Sequence, residues 1–423
     1  MENKTYDIIG IGIGPFNLGL AALANSIPVL DCIFIDREKN FNWHPGLLLT
    51  NATLQVPFYA DLVTLADPCS PFSFLAFLKA RKKLFRFAIH ENNFVTRKEY
   101  NEYCGWVCSH LPSLHFGYSC ESIQLDESTQ LYFVSVRDIS GRTEILSAKN
   151  IVIGIGSVPK ISPRININHP AVLHSGTYLH YKKLLSKLKS ITIVGSGQSA
   201  AEIFYDLLTD SDKSVELNWF TRSDRFYPME YSKLSLEMTS PDYINYFYNL
   251  PYDKKAATLS KQNLLYKGIN FSLINNIYNE LYMRQDDKRI TRLLTNCDLT
   301  SLHSLSDKLQ MKFTHKEMKR SFDHFTDAVI LATGYHHPVP SFLAPLKDHI
   351  LWIDNDKYRV NRNYSITKRE DIFVQNAEMH THGFTTPDLG MGPYRNAIIL
   401  NTILGYEHFI SEDKIAFQTF GLP

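Results

Sequence analysis

Two glycine-rich turns constrain this chain more than any other feature of its sequence. Each turn follows a short apolar run and opens into a segment with helical periodicity, which is the context of a dinucleotide-binding unit. The first turn contains Gly12, Gly14 and Pro15, and the second contains Gly195, Gly197 and Ser199. Glycines in such a turn let the backbone approach a pyrophosphate, and the helix N-terminus presents its N–H groups to it. Two such turns predict two nucleotides in one chain, as in an enzyme that reduces a flavin with a nicotinamide.

The residues that follow each turn distinguish the two nucleotides. After the first turn, the predicted strand 32–36 ends at Asp36, where a carboxylate can bond the ribose hydroxyls of an adenosine. We therefore assign FAD to the turn at Gly12. After the second turn, the predicted strand 215–220 is followed by Arg222 rather than by an acid. An arginine pairs with a 2′-phosphate that a carboxylate would repel, which predicts NADPH over NADH; the alternative is a solvated surface arginine.

The composition excludes several classes of partner. The chain has 44 basic and 43 acidic residues, so we expect neither nucleic acid nor an anionic membrane to bind it. Residues 8–30 carry no charge, but their glycines and prolines favour a buried strand, turn and helix over a membrane span. The six cysteines form no C-x-x-C pair, and we expect a reduced, cytoplasmic protein. No acidic or cysteine cluster stands beside His380 and His382, so we expect no metal.

The order of strands and helices predicts an α/β fold with two Rossmann-like dinucleotide-binding domains. We assign 1–175 and 325–423 to the FAD-binding domain, and 176–324 to the NADPH-binding domain. Residues 228–285 are rich in Tyr, Asn and Leu at helical spacing, and they are predicted to form a small helical insertion that binds substrate. The smaller predicted elements are a strand–helix–strand unit at 6–36, a loop at 42–66, helices within 71–110, a crossover at 154–159, and strands at 132–136, 151–155, 215–220 and 327–331.

Several motifs together give the sequence a resemblance to a known family. They are the turn at 12–17, Trp43-His44-Pro45-Gly46, Gln55, residues 61–64, Arg97 with Glu99, His174-Ser175, the turn at 195–200, the stretch 327–340 with Thr333, Gly334 and Tyr335, and His382-Gly383. With them the chain resembles the N-hydroxylating flavin monooxygenases of siderophore biosynthesis, which include lysine and ornithine N-monooxygenases. The resemblance extends over nearly the whole chain.

The resemblance implies an enzyme that uses FAD, NADPH and O₂. In such enzymes NADPH reduces the flavin, a flavin C4a-hydroperoxide forms, and a neutral primary amine takes up its distal oxygen. The motif residues expected to contact the cofactors are Trp43, His44, Thr333, Gly334 and Tyr335. Gln55 is the candidate catalytic residue beside the flavin, and Asn270 is the candidate near the nicotinamide and the amine. Because family members are often tetramers, the resemblance also implies a homo-oligomer, a tetramer or a dimer.

Three departures from the family pattern concern the substrate. Family members that act on amino acids have a lysine where this chain has Ala60, and the ornithine enzymes also have an asparagine at Leu236 and a serine at Gly390. Each change removes a polar partner for an α-amino carboxylate, whose charges are costly to bury unpaired. Together with Tyr59, these residues are expected to line a pocket for a primary amine without an α-carboxylate, such as putrescine, cadaverine or histamine. The alternative is an L-lysine N6- or L-ornithine N5-monooxygenase.

Other two-nucleotide flavoproteins are the remaining alternatives. A FAD- and NADPH-dependent disulfide reductase needs a redox cysteine pair beside the flavin, and the sequence has none. A sulfur- or ketone-oxidising monooxygenase usually has a Phe-x-Gly-x-x-x-His fingerprint, which is incomplete before His174. A non-catalytic flavin-binding module is disfavoured because both cofactor motifs are complete. Within the monooxygenase interpretation, the sequence does not distinguish the diamines from histamine.

Overall fold

The computed structural model describes residues 4–163, 165, 169–210, 215–286, 290–354 and 356–422. The strands are β1 (Thr5–Ile11), β2 (Cys32–Asp36), β3 (Leu114–Phe116), β4 (Tyr118–Asp126), β5 (Leu131–Asp138), β6 (Thr143–Ile153), β7 (Val158–Pro159), β8 (Val172–His174), β9 (Ser190–Val194), β10 (Glu216–Phe220), β11 (Thr291–Leu294), β12 (Cys297–Ser304), β13 (Leu309–His315), β14 (Arg320–Thr326), β15 (Ala328–Leu331), β16 (Tyr335–His336), β17 (Trp352–Asp354), β18 (Lys357–Tyr358) and β19 (Ile372–Val374). The helices are α1 (Pro15–Ala24), α2 (Phe74–Ala80), α3 (Leu84–His90), α4 (Arg97–Cys108), α5 (Tyr178–Leu185), α6 (Gln198–Asp210), α7 (Lys233–Leu236), α8 (Pro241–Asn249), α9 (Tyr252–Lys261), α10 (Phe271–Met283), α11 (Met379–His382) and α12 (Met391–Leu404).

The first glycine turn joins β1 to α1 in the middle of a seven-stranded sheet. Parallel strands follow the order β3-β2-β1-β6, and β19 pairs in parallel with the last residues of β6. The first half of β6 instead pairs with β5, and β5 pairs with β4, in an antiparallel meander. The predicted strand 151–155 is therefore the end of a longer strand that begins at Thr143. This arrangement brings residue 372 next to the strands that carry the first turn.

The second glycine turn joins β9 to α6 at the centre of a five-stranded sheet. All of its strands are parallel, in the order β11-β10-β9-β15-β8. The apolar face of α6 packs onto this sheet, with the Phe204 and Trp219 ring centroids 4.9 Å apart. The Trp219 indole Nε1–H also donates a hydrogen bond to the Gly195 carbonyl oxygen at 2.7 Å. The hydrophobic core of this sheet thus supports the turn directly.

The uncharged segment 8–30 is buried inside the protein. Leu18 and Leu20 of α1 have no exposed surface, and α1 packs closely against the loop at Leu62. A Cβ on Gly19 would lie 2.7 Å from the Leu62 carbonyl oxygen, so the close approach requires glycine. The interpretation of this segment as a buried strand, turn and helix is confirmed. Within the described ranges, no helix is long and apolar enough to cross a bilayer.

The remaining elements agree with the sequence in part. The predicted helical stretches 71–110 and 228–285 contain α2–α4 and α7–α10, separated by short turns. In the predicted crossover, β7 pairs antiparallel with β16. The antiparallel sheet β12-β13-β14, which covers 297–326, was not predicted from the sequence. It packs its apolar side, including Met311 and Phe313, against the second parallel sheet.

Candidate active site

The first glycine turn leaves open space in front of α1. Gly12 has a φ of +88°, and a Cβ there would lie 2.5 Å from the Gly154 carbonyl oxygen, so no side chain fits. A Cβ on Gly14 would instead have the Gly154 oxygen as its nearest neighbour, at 3.9 Å. Pro15 occupies the first position of α1, where a missing N–H costs nothing. A pyrophosphate therefore has both the room and the helix N-terminus that it needs.

Asp36 lies beside this turn as predicted. Its Oδ2 accepts a hydrogen bond from the Ile13 backbone N–H at 2.7 Å, and its Oδ1 accepts one from the Glu38 N–H at 2.8 Å. These bonds hold the carboxylate at the carboxyl end of β2, against the turn. Each oxygen keeps a lone pair for a further donor, which fits the ribose hydroxyls of an adenosine.

Asn17 does more than replace a third glycine. Its side chain is fully buried, and its Nδ2 donates a hydrogen bond to the Gly12 carbonyl oxygen at 2.8 Å. Its Oδ1 accepts a hydrogen bond from Gln375 Nε2 at 2.7 Å, just after β19. A Cβ on Gly154 would lie 2.6 Å from Asn17 Cγ, so the glycine at 154 makes room for this amide. The asparagine therefore links the turn to two other strands of its sheet.

The second turn has the same construction as the first. Gly195 has a φ of +145°, and a Cβ there would lie 2.3 Å from the Ala332 carbonyl oxygen. A Cβ on Gly197 would have its nearest neighbour, the Lys267 carbonyl oxygen, at 3.7 Å, so space for a pyrophosphate is open here too. Ser199 lies in the first turn of α6. These residues fit a second dinucleotide.

Arg222 lies at one side of this second turn, in a pocket of about 390 Å³ that Ser223, Asp298 and Lys316 also line. The Ser223 hydroxyl is 3.0 Å from the Ser196 hydroxyl of the glycine turn. Lys316 Nζ donates a hydrogen bond to the Arg222 carbonyl oxygen at 3.3 Å. Two cations and two hydroxyls suit a 2′-phosphate. The sequence did not indicate Lys316, because it belongs to the turn between β13 and β14, far along the chain.

Four of the motif residues form an aromatic cluster: Trp43, His44, His174 and Tyr335. The Trp43 and His44 rings are 4.7 Å apart, and the His44 and Tyr335 rings are 6.1 Å apart. The Tyr335 ring is also 5.0 Å from His174. His44 is exposed, but the surrounding protein still desolvates its ring and lowers its pKa to about 4, helped by the charge of Arg97. His44 is therefore neutral at physiological pH.

Hydrogen bonds fix the orientation of His174 in this cluster. The Gly176 backbone N–H donates to His174 Nδ1 at 3.2 Å, so Nδ1 is the unprotonated nitrogen. The Nε2–H group then donates to the Gly334 carbonyl oxygen at 3.1 Å. Thr333 also makes a hydrogen bond within the protein, in which its hydroxyl donates to the Lys160 carbonyl oxygen at 2.5 Å. Thr333 and Gly334 thus hold the connection between the two parallel sheets in place.

A polar network joins Gln55 and Asn270, the two candidate catalytic residues. Gln55 Nε2 donates to the Gly268 carbonyl oxygen at 3.3 Å and to Gln198 Oε1 at 3.4 Å. Gln198 Oε1 also accepts from the Asn270 backbone N–H at 2.8 Å. The Asn270 side chain caps α10, with its Oδ1 accepting from the Ser272 N–H at 2.9 Å. The structure therefore brings both candidates to one amide, that of Gln198, which sequence reasoning missed.

A buried ion pair extends this network across the molecule. Gln198 Nε2 donates to Glu202 Oε1 at 2.8 Å. Both Glu202 oxygens bind the Arg97 guanidinium, each at 2.8 Å. Arg97 begins α4 beside the first sheet, whereas Glu202 lies in α6 on the second. A bidentate pair of this kind fixes the orientation of both partners. It therefore connects α4, beside the first sheet, to α6 on the second. The sequence indicated Arg97 as a motif residue but not its partner.

Two of the predicted substrate residues meet in space. A Cβ on Gly390 would lie 3.3 Å from the Ala60 Cβ, and Ala60 is buried. Tyr59 is 46% exposed, with its ring centroid 5.7 Å from that of Phe58. The described contacts of Leu236 are backbone hydrogen bonds within its own turn, at the end of α7. Ala60, Gly390 and Tyr59 therefore form one wall, whereas the contacts of Leu236 give no support for placing it there.

The residue after Leu236 serves a different part of the chain. The Glu237 carboxylate accepts hydrogen bonds from the backbone N–H groups of Phe417 and Gln418 at 3.1 and 3.0 Å. The Gln418 side-chain Nε2 donates a further hydrogen bond to this carboxylate at 3.0 Å, and it lowers the pKa of Glu237 most, with the two backbone bonds contributing. Phe420 continues along the same surface, with its ring 5.1 Å from that of Tyr243 in α8. The C-terminal segment 415–420 is thereby held across α7 and α8.

The cysteines do not suit redox chemistry at this site. All six are unpaired. Burial raises the pKa of Cys108 to about 12 and that of Cys104 well above its usual value. Since the thiolate is the reactive form, these buried thiols are poor nucleophiles. This observation argues against the disulfide reductase alternative.

Two dinucleotide turns, each with room for a pyrophosphate, define a flavin- and nicotinamide-dependent oxidoreductase. The sequence profile of the L-lysine 6-monooxygenase/L-ornithine 5-monooxygenase family matches residues 4–337. The chain belongs to this family, as its motifs predicted. It is a FAD- and NADPH-dependent N-hydroxylating monooxygenase, and the predictions of fold class, enzyme class and cofactors are confirmed.

Individual relatives agree with this assignment. The chain is 47% identical over 423 residues to a putrescine N-hydroxylase from Shewanella oneidensis, covering 99% of this chain and 85% of the relative. A cadaverine monooxygenase of the desferrioxamine pathway from Erwinia amylovora, solved bound to FAD, is 46% identical with a TM-score of 0.97, covering 100% of this chain and 99% of the other. An ornithine N-hydroxylase from Kutzneria, solved with reduced FAD, NADP⁺ and L-ornithine, is 26% identical with a TM-score of 0.88, covering 95% and 99%.

Proposed function

We propose that this enzyme N-hydroxylates an aliphatic diamine, putrescine or cadaverine, in siderophore biosynthesis. The observation that carries the proposal is that Ala60 and Gly390 lie side by side, since a Cβ on Gly390 would be 3.3 Å from the Ala60 Cβ. Neither residue has a group that can bind a carboxylate. The two relatives named for putrescine and cadaverine, at 47% and 46% identity, support the same substrate class. Histamine, the third amine predicted from the sequence, has no such support.

We assign FAD to the first turn and NADPH to the second. Gly12, Gly14, Pro15 and Asp36 would hold the FAD pyrophosphate and ribose, with Trp43, His44 and Tyr335 beside the flavin. Gly195, Gly197, Ser199 and Arg222 would hold NADPH, with Lys316 as a second cation for its 2′-phosphate. The bound cofactors supply hydride transfer and the activation of O₂.

The protein itself supplies position and shielding. Gln55 and Asn270 meet at Gln198, which directly follows Gly197 of the second turn, and there they are proposed to contact the flavin, the nicotinamide and the reacting amine. The Arg97–Glu202 pair fixes the distance between the sheets that the hydride has to cross. An alkylammonium has no lone pair, so the amine must react as the free base. Desolvation by the aromatic surroundings favours that neutral form.

The amino acid alternative is tested by adding the missing cation. We expect hydroxylamine formation from putrescine or cadaverine to be roughly tenfold or more efficient, in kcat/KM, than from lysine or ornithine. Ala60→Lys is expected to narrow this preference, and Ala60→Met, which has similar bulk but no charge, is the matched control. Lysine or ornithine as the best substrate of the wild-type enzyme would contradict the proposal. Equal effects of Lys and Met would show that bulk, not charge, decides the preference.

We also propose a cytoplasmic homo-oligomer, a dimer or a tetramer. The unpaired cysteines fit a reducing compartment. Phe85 and Ile89, one turn apart on α3, are 83% and 82% exposed, and exposed apolar pairs of this kind favour subunit contacts. Light scattering coupled to size-exclusion chromatography tests the oligomer, and a monomer at micromolar concentration would contradict it.

A further inference from the structure

A carboxylate stands at the substrate wall, in a segment that the sequence motifs do not include. Asp388 lies two residues before Gly390, and its Oδ1 accepts a hydrogen bond from the Gly390 backbone N–H at 2.8 Å. A Cβ on Gly390 would lie 3.1 Å from this Oδ1 and 3.3 Å from the Ala60 Cβ. Asp388, Gly390 and Ala60 therefore meet at one point, where two of the three departures from the family pattern lie.

This carboxylate lacks a cation. Among the residues that the structure describes, no lysine, arginine or histidine nitrogen lies within 4 Å of it. Arg395 acts on it from a distance, but the Arg395 guanidinium is bound to Glu378 at 3.1 Å and to the Thr386 carbonyl oxygen at 2.6 Å. Burial raises the pKa of Asp388, and backbone N–H groups of Gly390 and Met391 oppose that rise. A cationic ligand is the partner that would favour its charged form most.

Tyr59 directly precedes Ala60 in the chain and is therefore close to the same carboxylate. Burial raises the pKa of the Tyr231 phenol, and the electrostatic influence of Tyr59 and Asp388 adds to that rise. The Phe94 ring lies 5.8 Å from that of Tyr231. Such rings can pack against methylene groups and against an alkylammonium. Tyr59 and Tyr231 are 46% and 41% exposed, so the surface is accessible to a ligand.

We propose that Asp388 binds the ammonium group of the substrate that is not hydroxylated. This inference rests on the proposed diamine hydroxylation and adds the residue that selects for it. A diamine has a second cation at the end that faces away from the reaction, and Asp388 supplies the opposite charge there. The α-carboxylate of lysine or ornithine would be repelled by the same group. Selection against amino acids is therefore twofold, because a binding cation is absent and a repelling anion is present.

Asp388→Asn tests the charge with little change of shape, because the amide oxygen can still accept the Gly390 N–H. We expect the KM for putrescine and cadaverine to rise about tenfold or more, which corresponds to about 1.4 kcal/mol. The kcat/KM for butylamine and pentylamine, which have no second ammonium, should stay within about twofold of the wild-type value. Asp388→Glu retains the charge and should keep much of the diamine preference. Glu230→Gln, one residue before Tyr231, is the matched control. It should change neither the KM for the diamines nor the kcat/KM for the monoamines.

The outcomes separate this inference from the proposed function. A wild-type enzyme that does not hydroxylate diamines overturns both. If the wild-type enzyme hydroxylates diamines but Asp388→Asn loses activity on diamines and monoamines equally, only the role of Asp388 is overturned. That result would show that the residue supports the fold. An unchanged KM for diamines also overturns the role of Asp388. Bound FAD, measured from the flavin absorbance of each variant, identifies a variant that has failed to fold, and Asp388→Glu then decides the question.

Discussion

Arg222 is expected to determine the preference for NADPH, and its replacement by alanine is the most direct test of the second nucleotide site. Arg222 is exposed, so its contact with a 2′-phosphate is partly screened by solvent. We therefore expect the contact to contribute about 1.4 kcal/mol to NADPH binding, which is near the lower end of the range for a charged hydrogen bond. Arg222→Ala should therefore raise the KM for NADPH roughly tenfold and leave that for NADH nearly unchanged.

The neighbouring lysine gives this experiment an internal comparison. Lys316 contacts the Arg222 backbone at 3.3 Å from the other side of the pocket. Lys316→Ala should cost about 0.5–1 kcal/mol, or roughly two- to fivefold in the KM for NADPH, because its charge is solvated as well. Both effects should shrink at high ionic strength, where screening is stronger. Steady-state assays of NADPH and NADH oxidation measure these constants, and equal losses with the two nucleotides would refute the placement of the phosphate at Arg222.

Three other predictions follow from the structure. Gly14→Val should yield protein without bound flavin, because the valine fills the space in front of α1, whereas Gly197→Val should keep the flavin spectrum and lose its reduction by NADPH; exchanged phenotypes would reverse the assignment of the two turns. Arg97→Met should lower the free energy of unfolding in urea by about 3–5 kcal/mol, because it leaves the buried Glu202 carboxylate unpaired. Adding Glu202→Met to this variant should restore much of the lost stability. A loss below about 1 kcal/mol in the single variant would argue against a structural role for the pair. The hydroxylamine yield per NADPH should fall below about pH 7, because the amine must lose a proton from a pKa near roughly 10; a yield that does not vary with pH would show that deprotonation does not limit the reaction.

The two glycine turns were predictable because their signal is local. Strand, glycines and helix are adjacent in the sequence, and each turn needs glycine for reasons of backbone space alone. The antiparallel sheet 297–326 also had a local signal, since the buried Met311 and Phe313 alternate with the polar Gln310 and Lys312. This alternation of buried and polar residues is typical of a strand, but it is a weaker signal than the Rossmann pattern.

The candidate site was predictable only in part, because its contacts join distant segments. Ala60 and Gly390 were predicted together through the family resemblance, and the structure brings them into contact. No local pattern distinguishes Asp388 or Lys316 from other surface charges, since each acquires its neighbours only in the folded chain. Leu236 was predicted by the same resemblance as Ala60, and its described contacts are backbone hydrogen bonds with Ser232 and Thr239.

The position of β19 has a consequence for the order in which the protein assembles during synthesis. The strands of the second parallel sheet all lie between residues 172 and 331, whereas the first sheet acquires its last strand at 372–374. The Asn17–Gln375 hydrogen bond at the first turn spans 358 residues of chain. We therefore expect the half proposed to bind the nicotinamide to fold on the ribosome before the half proposed to bind the flavin, although the latter begins first. Nascent chains arrested before residue 372 should not retain FAD, and flavin binding by such chains would contradict this order of assembly.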